Sequence, residues 1–164
     1  MTITWEYLAD CLRRELADYG GLLHLFELQQ SSLFDRDAQA VLGLSAAIEK
    51  QVRNVAGCRE RREQAVAAFA VQHDEPRTST LRALLPHVTP DARPLLQALI
   101  DEVNALLHRV RRVSRHNHTL LSRAVEIHQD VLQQLRPSAF VKTYSPAGAL
   151  SVCPAQPSTL SLAG

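Results

Sequence analysis

Between Leu95 and Leu135 the apolar residues recur at 95, 99, 103, 106, 110, 113, 117, 120, 124, 127, 131 and 135, and the single position in that series that is not apolar is Asn117. Steps of three and four, averaging close to 3.5, hold one stripe on one side of a helix for its whole length. The segment is therefore a long helix that must lie along other helices, and whatever the chain does depends on what that rod leaves uncovered.

The 164 residues suffice for one domain, and a hydrophobic content of 46% supplies a continuous core without staples. Only 5% of residues are aromatic, a balance that suits helices packed side by side and argues against a β-sandwich or barrel. The expected class is all-α. With 18 Lys and Arg against 17 Asp and Glu, the net charge of +1 gives no global field toward nucleic acid or an anionic membrane. Met1 to Leu12 carries Glu6 and Asp10 and lacks a basic flank before an apolar run, so no signal peptide is expected. Thr143 to Gly164 holds no charge but contains Pro146, Gly148, Pro154 and Pro157, which excludes a membrane helix there. A soluble cytoplasmic protein without direct membrane insertion follows. Cys11, Cys58 and Cys153 are odd in number and show no CxxC spacing, so they are read as reduced thiols rather than zinc ligands or a disulfide framework.

Trp5, Leu8, Leu12, Leu16, Tyr19, Leu23, Phe26 and Leu33 mark a first helix over about 3–34. Gly20 and Gly21 fall inside it, and the helix is expected to run through them because missing side chains also admit a close neighbour. Asp35 and Asp37 form a short polar break, either able to accept from the free amides of a second helix over about 37–71. Joined so tightly, the two helices fold back as an antiparallel hairpin in which Cys11 lies near the layer of Cys58. Residues 72–89, with Pro76 and Pro86 and a Thr/Ser cluster, read as a linker in which Ser79 caps one short turn. Thr89 and Pro90 then open the long third helix, over about 90–136, although Pro94 sits awkwardly in its first turn and allows the regular helix to begin only there. Residues 1–136 thus form an elongated three-helix coiled-coil bundle. The remainder, 137–164, reads as a flexible tail with one short ordered stretch around Phe140 to Tyr144.

The hairpin helices reach roughly 50 Å, whereas the third reaches roughly 68 Å at 1.5 Å per residue. The last ten to fifteen residues or so of the third helix are expected to overhang the hairpin tip, and the stripe continues into them. An uncovered stripe marks a place where another helix or chain belongs, with Leu120, Leu121, Ala124, Ile127, Val131 and Leu135 as its candidate residues. The bland alternatives are that this stripe pairs with a second copy, giving a homodimer, or that the tail folds back over it. Counting levels along the bundle also places Asn117 near Gln29 and Gln30, a polar layer able to fix the register.

Other motifs lead nowhere. His116, Asn117 and His118 spell a nuclease signature in letters only, since that signature is dispersed over a ββα unit. No two of the seven His are spaced four apart on one helix face, and neither HExxH nor Glu-x-x-His pairs occur, so no metal, cofactor or catalytic residue is assigned. The basic run His108, Arg109, Arg111, Arg112 and Arg115 lacks interleaved aromatics and reads as a solvated face rather than a nucleic-acid site. Arg59 to Glu63 reads the same way.

Three stretches resemble the FlgN family of flagellar export chaperones: LLHLFELQQSSL (Leu22 to Leu33), followed by Asp37 and a helix with Lys50 and Arg61 or Arg62; VRRVSRHNHTLLSRAVEIHQDVLQQL (Val110 to Leu135); and TYSPAGAL (Thr143 to Leu150). The long Pro-rich linker, the basic segment around Arg111 and the tail beyond Gly148 depart from the family pattern. The resemblance implies a cytoplasmic chaperone without enzymatic activity that holds the C-terminal helical segments of flagellar hook-associated (hook–filament junction) proteins. It further implies that the chaperone prevents their premature assembly and delivers them to the type III export gate. Carried over by position, client binding falls on the third helix from about Leu120 onward and gate docking on Tyr144. The alternative is a structural coiled-coil adaptor or self-associating helical protein with no secretion role.

Overall fold

The computed structural model describes residues 2–135, 140–144 and 150–154, the last two segments as backbone strands. The chain divides into two compact units, 1–118 and 119–164. The fold is all-α, with three α-helices among the described residues: α1 (Trp5–Phe34), α2 (Ala38–Gln72) and α3 (Arg93–Leu135), the last passing from the first unit into the second.

In the first unit α1 and α2 form an antiparallel hairpin. Leu8, Leu12, Leu22 and Leu23 of α1 meet Val55, Val66 and Phe69 of α2 in one buried cluster. Polar side chains cross the same seam. The Ile3 amide donates to Gln72 Oε1 at 3.0 Å, and Gln51 Nε2 donates to the Asp18 carbonyl at 2.9 Å. The second contact explains why α1 tolerates Gly21 in mid-helix: a Cβ there would stand 3.3 Å from Gln51 Nε2. Cys11 and Cys58 are buried free thiols. Cys58 Sγ donates to Asp18 Oδ2 at 2.7 Å and accepts from Arg61 Nη2 at 2.9 Å. The side chain of Cys153 lies outside the described residues.

Both hairpin helices end without glycine. At the end of α1 the Asp37 amide donates to the Ser32 carbonyl and the Arg36 amide to that of Leu33, with Arg36 at φ 59°. At the end of α2 the amides of Glu75 and Asp74 donate to the carbonyls of Ala70 and Val71, with Asp74 at φ 58°. These are paired Schellman closures, with L-residues in the left-handed position that glycine usually takes. Asp37, one of the two capping candidates, does open α2: its Oδ1 accepts from the Ala40 amide at 2.9 Å.

The stretch expected to be a plain linker contributes to the core. Leu81, Leu84, Val88 and Ala92 are buried with the helices. The short turn there is capped by Thr80 instead of Ser79, with Oγ1 accepting from the Ala83 amide at 3.3 Å. Two 3-10 turns, Leu85–His87 and Pro90–Ala92, precede α3, so Pro90 opens a 3-10 turn and regular helix starts at Arg93, beside Pro94. His87 stacks on His73, with ring centroids 4.9 Å apart, and its Nε2 lies 3.1 Å from Glu75 Oε1, tying the linker to the end of α2.

Within the first unit α3 buries Leu96, Leu99, Val103, Val110 and Asn117. The stripe therefore begins one residue later than the sequence series: Leu96 is fully buried and Leu95 is 40% exposed. Leu96, Val103, Val110 and Asn117 keep heptad spacing, which leaves Asn117 in a core position. In the second unit, apart from α3, strand β1 (Phe140–Tyr144) pairs antiparallel with β2 (Leu150–Pro154), from Phe140 opposite Pro154 to Tyr144 opposite Leu150. Aromatic and β-branched residues fit such a ladder. The ordered stretch expected at Phe140 to Tyr144 is thus one arm of a hairpin, and the other tail residues lie outside the described ones.

Candidate protein-interaction surface

Asn117 is 1% exposed. Its Nδ2 donates to the Phe26 carbonyl at 2.8 Å and to Gln29 Oε1 at 3.0 Å. A carbonyl can only accept, so the amide must face it with nitrogen, and Oδ1 is then left with no partner among the described residues. Leaving a buried acceptor unpaired costs about 1–3 kcal/mol. Gln30 Nε2 lies 2.8 Å from His116 Nδ1, and Arg109 Nη2 donates to Glu27 Oε1 at 3.0 Å. The structure thus brings Asn117 and Gln29 into direct contact and places Gln30 one residue away, on His116.

In the second unit the same helix shows a different face. Leu120, Leu121 and Ala124 are half-buried, whereas Ile127, Val131 and Leu135 are exposed, Ile127 at 61% and Leu135 at 73%. Val125 and Leu132 are exposed as well, which sequence reasoning missed. Their signal was present: with Leu121 they stand at steps of four and seven, a second row beside the first. Arg123, Glu126 and Asp130 flank the rows as exposed charges. Contiguous aliphatic surface edged by charge has no covalent chemistry to offer, and it is suited to covering another apolar helix. Tyr144 ends β1 opposite Leu150, and its side chain lies outside the described residues.

No group of His, Cys, Asp and Glu among the described residues could hold a metal ion. No helix among them is long and apolar enough to cross a membrane.

The family model described as "FlgN protein" matches residues 1–151. The chain belongs to the FlgN family. FlgN proteins are flagellar export chaperones, a chaperone family and not an enzyme family, and they bind flagellar proteins. The FlgN match spans the hairpin, the linker, all of α3 and β1 with Tyr144. Searches among curated proteins and among solved structures return no match.

The FlgN-type hairpin also holds a charge pair that sequence reasoning passed over. Glu15 is 1% exposed, and Arg62 Nε donates to its Oε2 at 2.6 Å. Arg62 is therefore a buried-side partner, not one more member of a solvated basic face. The cue was Glu15 itself, which stands in the apolar stripe of α1 between Leu12 and Tyr19. Such a carboxylate needs a cation close by.

Proposed function

We propose that the chain is a cytoplasmic type III export chaperone that binds the C-terminal helical segments of flagellar hook-associated proteins. On this reading it keeps them from assembling early and delivers them to the export gate. The apolar rows of α3 from Leu120 to Leu135 are the client surface, and the exposure of Val125, Ile127, Val131, Leu132 and Leu135 is the observation that carries the proposal. Asn117 with Gln29 and Gln30 sets the register of the bundle, and Tyr144 docks at the gate.

The mechanism is physical. A segment that coils with its own kind in the assembled filament exposes an apolar stripe while it waits, and α3 covers that stripe reversibly. Burying a single Val, Leu or Ile side chain contributes about 1.5–3 kcal/mol. Micromolar binding corresponds to about 8 kcal/mol, a moderate net demand on such a surface. Binding of that strength also permits release at the gate.

The test is calorimetric titration of the full chain with the C-terminal helical segment of a hook-associated protein from the same cell. Replacing Leu120, Ile127 and Val131 together by Ser should weaken binding by about tenfold or more while helicity is retained; unchanged affinity would remove the proposal. Tyr144→Ala should spare binding and lower export of the client, and lost binding would reassign Tyr144 to the client surface. A stable dimer that buries α3 and ignores the segment would favour the adaptor reading instead.

A further inference from the structure

The first unit carries a second surface, independent of the exposed end of α3. Two open depressions of about 460 and 490 Å³ meet at Arg111. Their floor is formed by two rows at steps of three and four. On α1 the row is Leu12, Glu15, Tyr19, Leu22 and Phe26; on α3 it is Ile100, Val103, Leu107, Val110 and Ser114. Each α3 residue stands 88 positions after its α1 counterpart, the same offset as the Asn117–Gln29 hydrogen bond. Rows in step at this spacing are how two packed helices share one core seam, and the depressions open beside it, where Phe26, Ile100, Leu107 and Ser114 remain part-exposed. The far wall belongs to α2, through Val52, Arg59 and Arg62.

From Ile100 to Arg115 the trough follows α3 for about 22 Å, roughly four helical turns. That length exceeds a small organic anion and fits one more helix. The rim is basic: Arg59, Arg62, Arg82, Arg111 and Arg115 line the two depressions, and the one carboxylate among their lining residues is Glu15, already held by Arg62. Arg59 and Arg82 are engaged by Glu63 and Asp101, which leaves further N–H groups of each guanidinium for a second acceptor. Val52, in the apolar wall, remains 46% exposed.

We propose that this trough receives an amphipathic helix of a partner protein, apolar on one face and acidic along both flanks. The helix lies along α3 as a fourth member of the bundle, and its carboxylates meet the guanidiniums of α2 and α3. Charge complementarity selects the partner, and burial of the part-exposed Phe26, Val52, Ile100 and Leu107 holds it.

The probes are two synthetic helical peptides of about four turns, both with Leu at heptad spacing, one flanked by Glu and the other by Lys. Titrated into the full chain and followed by fluorescence anisotropy, the Glu peptide should bind at least about tenfold more tightly and lose affinity as salt rises. Its amide shift perturbations should fall on Val52, Leu107 and Ser114. Arg59→Glu with Arg111→Glu should reverse the preference between the peptides. Val52→Glu, at an exposed position, should weaken the Glu peptide without disturbing the fold, and it keeps the test decisive if the double variant is unstable. Equal binding of the two peptides, or perturbations confined to residues 125–135, overturns the proposal. So does tighter binding of a single-stranded RNA or of inorganic phosphate at the same residues, or a self-dimer that the double substitution abolishes.

Discussion

Two stretches of α3 carry the same pattern and meet different fates. Between Leu96 and Val110 the stripe residues Leu96, Leu99, Val103 and Val110 are buried in the core cluster of the first unit; from Ile127 to Leu135 side chains of the same kind, at the same spacing, face solvent. Periodicity therefore specifies that a helix forms and which face is adhesive. It does not specify what covers that face. On the proposed function the chain uses this separation: one stretch of seam secures its own fold, and the other receives the client segment.

The largest expected contrast comes from truncating one side chain in each stretch. Leu96→Ala should cost about 3 kcal/mol, because it opens a cavity in a fully buried site, whereas Ile127→Ala should stay within about 0.5 kcal/mol. Urea unfolding midpoints read both, and equal losses would erase the distinction. Next is the charge pair beneath the sealed stretch. Arg62→Ala leaves Glu15 buried without its cation and should cost about 2–3 kcal/mol, below the full range for buried pairs because Arg62 is 23% exposed. Replacing Glu15 and Arg62 together by Leu should recover most of that loss, and a simple sum of the two single losses would show that they are not coupled.

Asn117 sharpens the comparison at its border. Asn117→Ala removes two hydrogen bonds and the unpaired Oδ1 together, so a net cost of about 1–2 kcal/mol is expected from unfolding curves. A neutral result would reduce the polar layer to decoration. The smallest effect is alkaline. Burial raises the thiols of Cys11 and Cys58 above their ordinary 9.0, and for Cys58 the Asp18 carboxylate adds to it. The unfolded chain releases these protons first, so their contribution is complete below about pH 9 and declines as pH rises through the folded values. Unfolding midpoints should therefore fall faster above that pH in the native chain than in a Cys11→Ala, Cys58→Ala variant.

The helices were legible because long apolar rows at 3.5-residue spacing admit few alternatives, and the Asn117–Gln29 contact followed from counting levels along helices that lie in step. The linker was not legible: Leu81, Leu84 and Val88 keep no single period, so their burial depends on the surface they meet. Helix ends at Arg36 and Asp74 were located only by a polar break, since neither carries the glycine that usually marks a Schellman closure. The Glu15–Arg62 pair was hidden because a charged residue in a run of charges looks solvated until the opposing helix is in place. The apolar face at the end of α3 was legible from its main row, whereas Val125 and Leu132 stand outside that 3.5-residue series and form a second row beside it.

Hydrogen exchange along α3, with and without the C-terminal segment of a hook-associated protein, tests the central claim most directly. In the free chain, amides of residues 96–117 should exchange slowly and those of 120–135 quickly. Adding the segment should protect 120–135 and leave the first stretch unchanged. Slow exchange throughout α3 in the free chain, or protection that appears anywhere but 120–135, would contradict the account.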